Sequence, residues 1–499
     1  MIRRHPHPLG ALALALAAAA MLLGGCRQAE TDALQVAVIG AGPLALGEAI
    51  APADSPAQAV LRLNIAQGLV RFDAGGQIEP GLAERWTVSD DGLSYIFRLA
   101  AGEWPDGRKI MARDVARILK RQLRATQGSA TREALGAVED VVAMTDRVIE
   151  IRLAAPRPNV LELLAQPDLA LIREGQGTGP FQLSATETEP AAKDGSVRLT
   201  RRPAGIDGEP GARQDVDLSA LAAGPAISAF VKGDLDLLLG GTMADLPLAR
   251  RAKLPRGALH FDPANGLFGL VPARADGPLA DRDVRRLLSQ SIDRAALVAA
   301  LGVPGLGPRA TVLQAGLDGV ADPVQPPWLG QPIAERRALL QREAQRLFAT
   351  GERPRLRVAL PDGPGGDLLF ARLSADWGAI GIGVERAGPG APADLAWIDE
   401  VAPSGSPGWY LRQFRCGIVP LCNAEADSML EAARTAPDPA QRGALFTDAA
   451  WMIDQASLFI ALAAPVRWSL VGDRATGYQD NRFARHPLAD IVRRPSRGF

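Results

Sequence analysis

The chain has 499 residues, 47% of them apolar and 22% charged, too many for one core, so two or three domains of ordinary size are expected. Lysine plus arginine (55) nearly balances aspartate plus glutamate (56) for a formal charge of −1, which gives no footprint for nucleic acid or for an anionic membrane. Four histidines and three cysteines leave little material for metal chemistry, and no H-E-x-x-H or G-x-S-x-G motif occurs.

The first segment reads as a secretory signal: Arg3 and Arg4, an apolar run from Leu9 to Leu23, then Leu23-Gly24-Gly25-Cys26. The run is too short to cross a bilayer comfortably, and no later stretch approaches the roughly 20 apolar residues of a transmembrane helix. The ending resembles the bacterial lipobox, in which the cysteine is lipidated and becomes the new first residue. That resemblance implies removal of residues 1–25 and an extracytoplasmic protein, periplasmic or facing outward, anchored to a membrane through Cys26 by lipid alone.

Gln35 to Ile39 reads as a strand, followed by Gly40-Ala41-Gly42-Pro43-Leu44-Ala45. Out of context this matches the dinucleotide fingerprint G-x-G-x-x-G/A. No acidic residue stands about 20 positions on and Pro56 interrupts the unit, which favours a plain tight turn. Leu69 to Phe72 is a short strand, Asp73 to Gly76 a turn, and Asp90-Asp91-Gly92 a hairpin signal. Leu93, Tyr95, Phe97 and Leu99 then alternate on one face of a strand. A helix from about Arg113 to Leu123 puts Val115, Ile118, Leu119 and Leu123 on one face, and Arg117, Lys120, Arg121 and Arg124 on a solvated one. Gly177, Gly179 and Pro180 favour a sharp reversal where a side chain would obstruct.

Further on, a helix over 283–300 carries the stripe Val284, Leu287, Leu288, Ile292 and Leu297, with Asp281 or Asp283 suiting its dipole. Leu356, Val358 and Leu360 alternate as a strand, Leu369 to Ile380 reads as a helix, and Gly381 to Glu385 as a return strand, a β-α-β unit. Cys416 and Cys422 flank a loop containing Gly417 and Pro420. An oxidising compartment favours a disulfide between them, and two thiolates alone are half of a tetrahedral zinc site. The histidines outside the signal, His260 and His486, are far apart, so a Ser/His/Asp site would require one of them in a cleft beside a serine. No enzymatic activity and no cofactor are expected.

Several runs in one order resemble the extracellular solute-binding proteins of family 5, the dipeptide and oligopeptide receptors of ABC importers. They are the stretch from Gly68 to Val115, Gly177-Thr178-Gly179-Pro180-Phe181, Phe230 to Asp236, Asp283 to Arg294, and Asn423 to Ala433. The resemblance covers roughly residues 34–475. It implies an α/β, periplasmic-binding-protein-like fold, with two main lobes and a small extra one closing about a hinge on a ligand. The first lobe is expected to be discontinuous, at 34–58, 176–260 and 464–499, the last segment entered through a strand from Ala463 to Leu470. The second is expected at 59–175 and the third at 261–463.

In peptide receptors of this family an aspartate shortly before a D-P-x-x-F-L element captures the ligand's amino group. Here Pro407 and Tyr410-Leu411 fit the element, Ser406 replaces its aspartate, and Pro403 falls where the amino-binding aspartate belongs. Asp399 and Glu400 are the substitutes at hand, and Trp397 and Trp409 are candidates for stacking on a ligand. The implied function is a substrate-binding lipoprotein that delivers peptides to an ABC permease complex in the inner membrane. The alternatives are a receptor for a metal complex, haem or an oligosaccharide, or a scaffold that binds nothing.

Overall fold

The computed structural model describes residues 33–494 except 43, 47–54, 126–134, 185–195, 204–210, 350–352 and 389. The signal segment and Cys26 lie outside the described residues. Leu34–Ile39 is the central strand of a seven-stranded sheet, flanked in parallel by Gln214–Leu221 and Leu237–Thr242. The run LQVAVI is buried apart from Gln35. Val36 and Val38 pack into a core with Leu61 and Phe181, while Ala37 and Ile39 face a core shared with Phe268 and Leu287, so the strand is covered on both faces.

Among the described residues no helix follows Gly42 directly. The next one among the described residues, Pro56–Ile65, is capped by the Ser55 side chain, which accepts from the Gln58 N–H. Gly177 and Gly179 lie against the end of that helix, where a Cβ would come within 2.3 Å of the Ile65 carbonyl or 2.5 Å of the Asn64 carbonyl. Close approach, rather than a left-handed backbone, is what excludes side chains there.

A second sheet of four antiparallel strands orders Ala83–Val88, Ser94–Leu99, Val148–Leu153 and Val138–Thr145. Tyr95, Phe97 and Leu99 alternate inward as expected, and Val115, Ile118 and Leu119 of the helix Ala112–Arg124 complete that core. The third sheet orders Gly383–Arg386, Arg355–Ala359, Leu395–Val401, Gly266–Pro272 and Ile460–Ala461. The helix Pro364–Gly378 links the parallel strands Arg355–Ala359 and Gly383–Arg386 in the expected β-α-β unit.

The single helix expected over 283–300 is two, Arg282–Ser291 and Arg294–Leu301. Asp293 causes the break: its carboxylate accepts from the Ala296 N–H at 3.0 Å, and its own N–H is taken by Asp376 at 2.9 Å. Phe230 to Asp236 leads into a strand. The helix Ala223–Lys232 ends on Gly233 in the left-handed region, and the strand begins at Leu237.

Two adjacent crossings join the first and third sheets. Leu259–Asp262 pairs antiparallel with Arg467–Val471 in one, and Gly266–Pro272 with Ile460–Ala461 in the other. Among the described residues no helix is long and apolar enough to cross a membrane.

Beneath the third sheet, burial pushes the Asp454 carboxyl up to about 7, although it accepts the Val312 N–H at 2.8 Å and Arg309 is near. A carboxyl raised on folding contributes stability that is full below its unfolded pKa of 3.8 and is lost as pH rises through 7. As pH rises from about 4 to about 7 the wild-type melting temperature should fall more than that of Asp454→Asn. Equal pH slopes would remove Asp454 as the cause.

Candidate functional site

The ladder between Arg355–Ala359 and Leu395–Val401 stops at Ala396, so Trp397 to Val401 run on with Gly266–Pro272 as their sheet neighbour on one side. Trp397 is half-buried and meets Phe268 edge-on, 4.6 Å between ring centroids. Asp399 shares that face, opposite Phe268, whereas Glu400 stands opposite Leu267 on the other.

Asp399 is committed within the protein. Arg467 Nη1 donates to its Oδ1 at 2.7 Å and Nη2 to its carbonyl oxygen at 2.9 Å, and the two side chains are only 14% and 16% exposed. Burial raises the Asp399 carboxyl even with the guanidinium against it. Arg467 begins the strand that returns to the seven-stranded sheet, so this ion pair ties the two large sheets beside their crossings.

Glu400 differs. It is solvent-accessible, yet protein crowding raises its carboxyl, with the charge of Asp399 adding to the shift and Arg467 opposing it. Its side chain makes no hydrogen bond or ion pair with the described residues. Arg485 is the opposite case: half-buried, its guanidinium is pushed down chiefly by burial, with Asp168 opposing that shift and Arg467 adding to it. Its side chain also has no hydrogen-bonding partner among the described residues. Asn481 fixes its backbone, donating to the Arg485 carbonyl at 2.8 Å and accepting its N–H at 3.2 Å. An uncommitted carboxylate and an uncommitted guanidinium thus stand within electrostatic reach of the same buried pair. That arrangement suits a ligand carrying both an ammonium and a carboxylate group.

The segment after Val401 is held from both sides. The Ala402 N–H donates to Asn265, Gln166 Nε2 donates to the Pro403 carbonyl at 2.8 Å, and the Gly405 N–H donates to Glu162 at 3.0 Å. Glu162 also pairs with Arg482. Trp409 is not brought together with Trp397. It is 3% exposed in the short helix Pro407–Arg412, edge-on to Tyr410 at 4.9 Å, and belongs to the core on the opposite face of the third sheet. Cys416 and Cys422 are joined by a disulfide just beyond.

The histidines take structural positions. His486 is buried against Asp262 at 3.2 Å, with Asn481 and Tyr478 beside it, and His260 pairs with Asp480 at 3.3 Å. Neither has a serine hydroxyl among these partners. Among the described residues no three His, Cys, Asp or Glu side chains are placed to hold a metal ion. Arg467 and Arg485 were missed in the sequence. The available signal was an arginine at the start of the otherwise buried apolar strand Arg467–Val471.

The family model for the middle region of the bacterial extracellular solute-binding proteins, family 5, matches residues 77–397. A Pseudomonas aeruginosa protein named "Probable di/tripeptide-binding protein 5" is 24% identical over 493 residues, covering 85% of this chain and 89% of its own. Haemophilus influenzae OppA, solved in complex with RPPGFSPFR, superimposes with a TM-score of 0.77 at 16% identity, over 93% of this chain and 99% of that one. AgaA from A. tumefaciens R10, solved in complex with agropinic acid, gives 0.71 at 16% identity, over 94% and 99%.

Proposed function

The chain belongs to the bacterial extracellular solute-binding proteins of family 5, and on that premise we propose that it is the substrate-binding component of an ABC importer for short peptides. In this reading it delivers its ligand to a permease complex in the inner membrane. The feature that carries the peptide reading is a carboxylate, Glu400, and a guanidinium, Arg485, that each lack a side-chain hydrogen bond to the described residues and each feel the charge of Arg467 in the buried Asp399–Arg467 pair. Glu400 takes the ligand's ammonium and Arg485 its carboxylate, and Asp399 acts by holding Arg467 in place. Trp409 supports the loop from beneath.

The lobes close as bodies formed by 34–58 with 176–260 and 464–499, by 59–175 and by 261–463, with the two crossings as hinge. Pro403, standing where an amino-binding aspartate is expected, favours a second reading in which the solute is a zwitterion other than a peptide. Purified protein should carry di- or tripeptides detectable by native mass spectrometry, or take them up from a defined peptide pool. Uptake of a non-peptide solute with no peptide bound would favour the second reading, and failure to take up any solute would overturn both.

The anchor in this reading is lipid on Cys26. Cys26→Ser should move the protein from the membrane to the soluble fraction with its melting temperature unchanged, since the folded chain does not depend on the lipid. Retention of that variant in the membrane would rule the anchor out.

A further inference from the structure

A cavity of about 350 Å³ lies between Tyr95 and Pro156–Asn159 on one side and the helices Pro407–Arg412 and Pro439–Gln455 on the other. It joins the four-stranded lobe to the third sheet's lobe, and none of Trp397, Asp399, Glu400, Arg467 and Arg485 lines it. Arg157, Arg412 and Arg442 all do. Their mutual field is felt: the Arg157 guanidinium is pushed down to about 10, by burial first and then by Arg442, Arg412 and Arg434.

Among the described residues the hydrogen-bonding partners of Arg157 and Arg442 are carbonyl oxygens. Arg157 donates to the carbonyls of Pro156 at 3.2 Å and Arg434 at 2.8 Å, and Arg442 donates to the same Pro156 carbonyl at 3.1 Å. Neither makes an ion pair with the described residues. Arg434 is paired with Glu431, and Asp318 on the cavity wall accepts from Asn159 Nδ2 at 3.2 Å. The rest of the wall is flat and apolar, with Trp409, Phe446, Pro407 and Pro439, and Trp409 Nε1 is a buried donor with no partner.

Gathering guanidinium groups away from water is unfavourable unless an anion meets them, and the planar guanidinium matches a carboxylate in two-pronged geometry. We propose that this cavity is a second binding site, for a small organic carboxylate with a flat apolar body. The carboxylate lies between Arg157 and Arg442, and the body packs among Trp409, Phe446 and the prolines. Such a ligand touches two lobes at once and ties them together. The site is independent of the peptide reading, since it shares none of the cleft side chains.

The test is a calorimetric titration of the full chain with benzoate, with neutral benzamide as the control. Benzoate should bind saturably, at least about tenfold more tightly than benzamide, and Arg442→Gln should weaken it by about tenfold or more while leaving uptake from the peptide pool unchanged. Arg157→Gln should act in the same direction. Because Arg157 also ties down Arg434, Arg442→Gln carries the test if the other variant unfolds. Absence of saturable benzoate binding would overturn the proposal, as would binding that survives Arg442→Gln and is lost in Glu400→Gln. Benzoate binding by a protein that takes up no peptide would sustain this site and sink the peptide reading alone.

Discussion

Asp399→Asn is expected to lower folding stability by about 3 kcal/mol, because it leaves the Arg467 guanidinium without its counter-charge in a largely buried position. Coulomb attraction in that environment is offset by the cost of withdrawing both ions from water, so the pair itself adds little net stability, whereas half of it is costly. Arg485 adds to the penalty, since its charge already acts on the same neighbourhood. The double variant Asp399→Leu with Arg467→Met should therefore recover most of the loss, and the comparison isolates the pair from the individual side chains. Urea unfolding midpoints of the wild type, Asp399→Asn and the double variant measure this. A loss below about 1 kcal/mol for Asp399→Asn would place the pair among exposed salt bridges and remove its role in tying the two sheets.

The sequence carried much of the frame because its signals are local. Alternation placed Tyr95, Phe97 and Leu99 in one core, and the glycines of the 177–180 segment marked a close approach. The break at Asp293 was legible in principle as a capping aspartate, but the apolar stripe on both sides of it reads as one helix when period alone is followed. The candidate site is a different matter. Asp399, Arg467 and Arg485 are far apart in the chain and meet only because two crossings bring the returning strand and the tail against Leu395–Val401. Spacing contains no trace of that meeting. Nor could it distinguish adjacent Asp399 and Glu400, which differ in setting through the one guanidinium that pairs with Asp399 alone.

The second large effect is expected in ligand binding. An ammonium group held in a crowded cleft needs a carboxylate partner, and removing that partner costs roughly 2 to 5 kcal/mol. Glu400→Gln should therefore weaken tripeptide binding by at least about tenfold, and more where water is well excluded. Its melting temperature should stay near that of the wild type, since Glu400 makes no hydrogen bond or ion pair with the described residues. Calorimetric titration with tri-alanine and its N-acetylated form tests this most directly. The wild type should prefer the free amine by at least about tenfold, and Glu400→Gln should lose that preference. Equal binding of the two forms by the wild type, or no binding of either, would contradict the cleft as a site for the charged end of a peptide.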